Sequence, residues 1–208
     1  MKTITLALQG GGSHGAFTWG VLDRLLEDER LSIEAISATS AGAINGALLV
    51  CGMAAGGRDG AREMLNRFWW HMSDLSRASP LQPTLLDKMQ PGWGIQFSPI
   101  YQWGEAILRL FSPYQLNPLD INPLRATLRA VIDFEVFKKN PLVDLYISAT
   151  NVRTGKVRIF RPEEVTEDVV LASTCLPHLF PAVEIDGEHY WDGGFVANPA
   201  IYRLLALA

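Results

Sequence analysis

The stretch Ile33-Glu34-Ala35-Ile36-Ser37-Ala38-Thr39-Ser40-Ala41-Gly42-Ala43-Ile44-Asn45-Gly46-Ala47 constrains this chain more than any other. An apolar run predicts a buried strand, Ser40 then stands among small residues, and an Ala-rich run with helical spacing follows. Strand, sharp turn and helix in that order push a serine at the tip out of the sheet. Its hydroxyl is free to meet a carbonyl carbon, and the first amides of the helix point at the same spot. The neighbours must be small, because a larger side chain beside the turn would collide with strand or helix. Ala38-x-Ser40-x-Gly42 is thus a nucleophile elbow whose usual first glycine is an alanine, and strain or a shifted turn is expected there.

The flanking chain supplies a frame. Residues 3–8 alternate as a strand, Gln9 to Gly15 break it into a loop, and Ala16 to Leu26 carry apolar residues on one helical face. Strand, helix and strand with a short return imply parallel pairing, hence a layered α/β domain with a mostly parallel central sheet between helices. The helix after Ser40 is expected to reach about Val50, with Gly52 to Gly57 closing it. Ala61 to Ser73 forms a second, amphipathic helix whose Phe68, Trp69 and Met72 pack in the core. From residue 77 to 118, prolines recur among aromatics and aliphatics, with a short helix possible over Ile100 to Phe111. This is a covering segment, either packed on the sheet or walling an apolar substrate site. A helix capped by Asn122 with Pro123 at its first position follows, then strands over 144–151 and 156–160, a helix over 165–173, and strand residues around the Asp186-Gly187 turn. No repeat or linker divides residues 1–208, which are read as one domain.

Of the 208 residues, 48% are hydrophobic and 19% charged, and the net charge is −4. That suits a substantial core and leaves no basic footprint for nucleic acid. The apolar run after Met1-Lys2 is too short for a signal peptide, and no stretch approaches the ~20 apolar residues of a membrane span, so the cytoplasm is the expected compartment. Cys51 and Cys175 lie among apolar or small neighbours without metal-ligand spacing and are read as buried thiols.

A serine on an elbow needs a base and an oxyanion hole. None of the four histidines (His14, His71, His178, His189) follows Asp192, so a Ser40-Asp192-His order is impossible. A permuted triad through Asp133 or Asp144 with His178 or His189 stays open. The other base is Asp192 itself, made available by Gly193 and Gly194 behind it, although an Asp-Gly turn alone reads as structure. Gly10, Gly11 and Gly12, between a strand and a helix, can converge amides on a negative oxygen. Gly10-x-Gly12-x-x-Gly15 also matches a dinucleotide fingerprint, but Glu34 lies at the start of the second strand, and its end holds Ser40 instead of a ribose-binding acid.

Gln9-Gly10-Gly11-Gly12-Ser13-His14-Gly15-Ala16, Ala38-Thr39-Ser40-Ala41-Gly42-Ala43 and Asp192-Gly193-Gly194, in that order, resemble the patatin-like phospholipase family in a bacterial form. Ser148-Ala149-Thr150-Asn151 and Ala172-Ser173-x-x-Leu176-Pro177 are similar to it too. The resemblance implies a lipid acyl hydrolase with Ser40 as nucleophile, Asp192 as general base, and the amides of Gly10 to Gly12 as oxyanion hole. His14, Gly15, Ala38, Gly42, Gly193 and Gly194 are its supporting motif residues. It implies an acyl ester substrate and neither metal nor organic cofactor, with a non-catalytic lipid-binding member as the alternative; residues 77–118 are apolar but lack the Lys/Arg-rich polar face of an interfacial helix, so any contact with a membrane surface is expected to be brief. Two departures are Ala38 and His14, the latter standing where the family commonly has a permanent positive charge. Relatives continue through further helix and sheet, so the fold is expected to be truncated after Ala208.

Overall fold

The structure is a computed structural model that describes residues 1–77, 111–139 and 141–202. Its frame is a six-stranded sheet: β1 (Lys2–Leu8), β2 (Leu31–Ala38), β3 (Asp144–Asn151), β4 (Val157–Phe160), β5 (Val183–Ile185) and β6 (Glu188–Asp192). The order is β1-β2-β3-β6-β5, with β4 also pairing β3. β1, β2 and β3 run parallel, as the crossover through α1 (Gly15–Glu27) requires, while β4, β5 and β6 add antiparallel strands. The β5–β6 hairpin turns on Asp186 and Gly187, both at positive φ (52° and 78°), as a two-residue turn demands.

Register decides which loops meet. Leu8 lies opposite Ala38, and Ala38 lies opposite Ile147. Asp192 lies opposite Ala149, two residues further along β3. Gly10 and Ser40, each two residues past its strand's register partner, and Asp192 are therefore delivered to one end of the sheet, where α/β folds place their sites.

The helix after Ser40, α2 (Ala41–Arg77), is buried on every side from Ala41 to Gly52, the mark of a core helix. It leaves helical geometry at Gly56 and Gly57, a kink that divides it in two where the glycine cluster predicts. Its two halves then touch closely: a β-carbon on Gly52 would lie 2.3 Å from Ala61 Cα. Phe68 of the second half is in the core cluster, with Trp69 and Met72 packed against it. α3 (Pro113–Leu116) and α5 (Glu135–Lys138) are single turns. Between them, α4 (Pro123–Val131) begins as predicted, the Asn122 side chain accepting from Leu124 N at 3.0 Å. The final helix, α6 (Glu167–Ser173), starts two residues later than expected, because the Thr166 hydroxyl caps it and Pro162–Glu164 form a separate 3₁₀ turn. α6 packs on β3, β5 and β6 through Val169 to Ala172. Most of the proline- and aromatic-rich covering segment, 78–110, and the helix expected over Ile100 to Phe111 lie outside the described residues but for Phe111. Its described end is tied down by the Tyr114 hydroxyl, which accepts from Ala182 N at 3.2 Å. Cys51 and Cys175 are both free and buried, and burial pushes each thiol up to about 12.

Candidate active site

Ser40 has φ 55°, a left-handed conformation that a residue with a β-carbon seldom adopts. The turn holds it there from three directions. Its amide donates to Ser173 Oγ at 2.8 Å, and that hydroxyl donates in turn to the carbonyl of Ser148 at 2.8 Å. Before it, the buried Thr39 hydroxyl is bonded to Ser148 Oγ and donates to the Ala197 carbonyl at 3.0 Å. After it, Gly42 N donates to the Thr39 carbonyl at 2.8 Å, and Gly42 sits so close to β1 that a β-carbon would lie 2.1 Å from the Leu8 carbonyl oxygen. Position 42 must therefore be glycine. Ala38 is the last residue of β2, fully buried in the core cluster, and is not among the residues at positive φ. The expected strain falls on Ser40, not on Ala38.

Asp192 ends β6 and is 5% exposed. Its amide donates to the Cys175 carbonyl at 2.8 Å, and its carbonyl accepts from the Thr150 hydroxyl at 2.9 Å, so the backbone is fixed on both sides. One carboxylate oxygen accepts from Gly194 N at 2.7 Å. Gly193 allows this turn, since a β-carbon there would meet the Ser148 carbonyl oxygen at 2.3 Å. Burial pushes the Asp192 carboxyl above the usual carboxylate range, while hydrogen bonding from the Ser40 side chain and the Gly194 amide opposes it.

The glycine loop closes the third side. Gly10 is wedged in place: a β-carbon would lie 2.7 Å from Ser40 Cβ and 3.1 Å from the Thr39 carbonyl oxygen. Its amide is engaged, donating to Asn198 Oδ1 at 2.6 Å. The amides of Gly11, Gly12 and Ala41 have no hydrogen-bond partner among the described residues. His14 turns its ring to the Gly11 carbonyl, 3.0 Å from Nδ1, and Gly15 packs under the Trp69 ring, 2.7 Å from where a β-carbon would stand.

Two cavities meet at Ser40. One, of about 350 Å³, is lined by Gly10, Gly11, Gly12, Asp192 and Gly194. The other, of about 550 Å³, is largely apolar and runs past Ile44, Phe68, Trp69, Met72 and Leu124. No histidine lines either one. Asp144 opens β3 and pairs near Ala35, at the other end of the sheet from Ser40, and Asp133 accepts from the amide of Glu135 beside α5. A permuted triad has no support in this geometry. The dinucleotide reading has none either, since Glu34 is exposed within β2.

A sequence model described as patatin-like phospholipase matches residues 6–205. The chain belongs to the patatin-like phospholipase family. No curated protein matches it. Among solved structures, that of VipD from Legionella pneumophila superposes with a TM-score of 0.50 at 16% identity, over 95% of this chain and 46% of VipD. At that identity the likeness speaks for the fold, and this patatin-like chain spans less than half of its structural neighbour. No helix among its described residues is long and apolar enough to cross a membrane. Ser148, Ser173 and Asn198, which hold the patatin-like elbow and glycine loop, carried no role in the sequence. The first two stand within the text similar to the family, which was the available signal; Asn198 pairs with a residue 188 positions away, and nothing local points to it.

Proposed function

We propose that this chain is a serine lipid acyl hydrolase that cleaves carboxylic esters through a Ser40–Asp192 dyad. The observation carrying this reading is the position of Ser40: strained, against a buried carboxyl, and at the mouth of an apolar cavity. The apolar cavity suits an acyl chain, and the smaller cavity receives the ester carbonyl and its alcohol. Ser40 Oγ attacks the carbonyl carbon while its proton passes to the Asp192 carboxylate. The oxygen that becomes negative is held by amides that have no other partner among the described residues, those of Gly11 and Gly12 with that of Ala41. Gly10 serves by close approach, its own amide being engaged. Collapse breaks the ester C–O bond, Asp192 returns its proton to the departing alcohol, and an acyl-Ser40 ester remains. Water then attacks the acyl carbon, giving its proton to Asp192. The second tetrahedral species releases the carboxylic acid, and Ser40 Oγ recovers its proton.

The test is hydrolysis of short and long p-nitrophenyl esters by the wild type, Ser40→Ala and Asp192→Asn, each verified as folded by circular dichroism. Both variants are expected to lose roughly a hundredfold or more in kcat/KM. Retained activity in Asp192→Asn would exclude the carboxylate as base. A folded but inert wild type that still binds fatty acid would instead mark a lipid-binding member of the family.

A further inference from the structure

We propose that Asn198 is a positioning residue for this reaction, and that its carboxamide fixes the glycine loop against the nucleophile; the inference rests on the acyl-hydrolase reading above. Asn198 Oδ1 accepts from Gly10 N at 2.6 Å and Asn198 Nδ2 donates to the Gly10 carbonyl at 3.4 Å. A carboxamide carries one acceptor and a donor in one plane, so it matches a peptide group at two points, which a hydroxyl or an aliphatic chain does not. The clamp acts where there is no slack, because Gly10 already abuts Ser40 Cβ and the Thr39 carbonyl. Its other end is anchored. The preceding carbonyl, Ala197 O, accepts from the Thr39 hydroxyl at 3.0 Å, and Ala197 N donates to Gly193 O at 2.9 Å. Asn198 thus ties the loop that follows Asp192 to the loop whose Gly11 and Gly12 amides receive the oxyanion, with the elbow between them.

The bond lies at an exposed surface, where water can replace a lost partner at small cost to folding. The consequence for the reaction is larger, since a misplacement of about 1 Å can cost 10²-fold in rate. Asn198→Ala is expected to melt close to the wild type and to keep KM within about threefold. Its kcat is expected to fall by about 10- to 100-fold, and a trifluoromethyl ketone, which forms a tetrahedral adduct at Ser40 with an oxyanion, to bind more weakly by a similar factor. The isosteric Asn198→Asp keeps the acceptor for Gly10 N but sets a negative charge beside the developing oxyanion, and its kcat is expected to fall at least as far. A folded Asn198→Ala with wild-type kcat and undiminished affinity for the ketone would overturn the proposal and leave the hydrolase intact. A loss confined to KM would overturn it too, by making Asn198 a substrate contact. An inert wild type would remove the hydrolase reading first and this inference with it.

Discussion

Asp192 pits ionisation against burial. The folded protein takes up its proton more readily than the unfolded chain, because burial lifts this carboxyl above its ordinary value. Below the ordinary value, near about 3.9, both states are protonated and the group is neutral to stability. As pH rises through the raised value, the folded state bears an ionisation cost that the unfolded state escapes, and stability falls. Asp192→Asn, which still accepts from Gly194 N, is therefore expected to melt higher than the wild type at pH 8, with the gain shrinking as pH falls toward 4. Parallel thermal melts across that range measure it; a constant difference would mean that Asp192 does not titrate abnormally. If Asp192 is the base, the same shift is expected to place the acid limb of kcat/KM above the ordinary aspartate value, which a pH–rate profile measures. Ser40 holds a second residue-scale tension, in its backbone. At φ 55°, replacement by Gly removes the β-carbon penalty whereas Ala keeps it, so urea unfolding should show Ser40→Gly more stable than Ser40→Ala by about 1 kcal/mol.

Elements show where the sequence was legible. Periodicity marks β1, α1 and the second half of α2, since a core face needs apolar residues at a fixed repeat, whereas the second half of β2 and the first half of α2 are marked by apolar and small residues on every side, as fully buried elements are. The order of the three glycine-bearing motifs brings Gly10, Ser40 and Asp192 to one end of the sheet, because strand register is inherited by the loops that follow. What the sequence hides is contact between distant backbone groups: Ser173 on Ser40, Asn198 on Gly10, and the engaged Gly10 amide. Such pairs leave no period. Gly52 is an intermediate case, legible as a breaker but not as a contact. Its α-carbon lies against the other half of α2, where an added β-carbon would meet Gly60 O at 2.6 Å and Ala61 Cα at 2.3 Å. Both are backbone atoms, so the halves must part. Gly52→Ala is expected to lower stability by about 1–3 kcal/mol, seen as a lower urea midpoint with an unchanged slope. A wild-type midpoint would mean that the two halves do not pack this tightly.

The apolar cavity belongs to the whole molecule. Ala16 comes from α1, Ile44 from the first half of α2, Trp69 and Met72 from the second half, Leu124 from α4 and Leu176 from the loop after α6. No single element can form it. Trp69 is fixed by donating from Nε1 to Asn45 Oδ1 at 2.8 Å, and the buried Asn45 donates to the Gly15 carbonyl at 2.9 Å, so the wall is locked to the start of α1. A ligand that fills such a space binds the folded state alone and stabilises it by about 2.7 kcal/mol at a hundred times its dissociation constant. If an acyl chain occupies the cavity, straight-chain fatty acids should raise the melting temperature of Ser40→Ala further with each added carbon, until a space of about 550 Å³ is full, and no further beyond that. Met72→Trp takes up part of that space and should bring the plateau to a shorter chain. A rise that ignores chain length, or a plateau that Met72→Trp leaves in place, would mean that the chain lies elsewhere. Asn45→Ala should blunt the dependence without moving the plateau, because it frees the Trp69 ring while removing no volume from the wall.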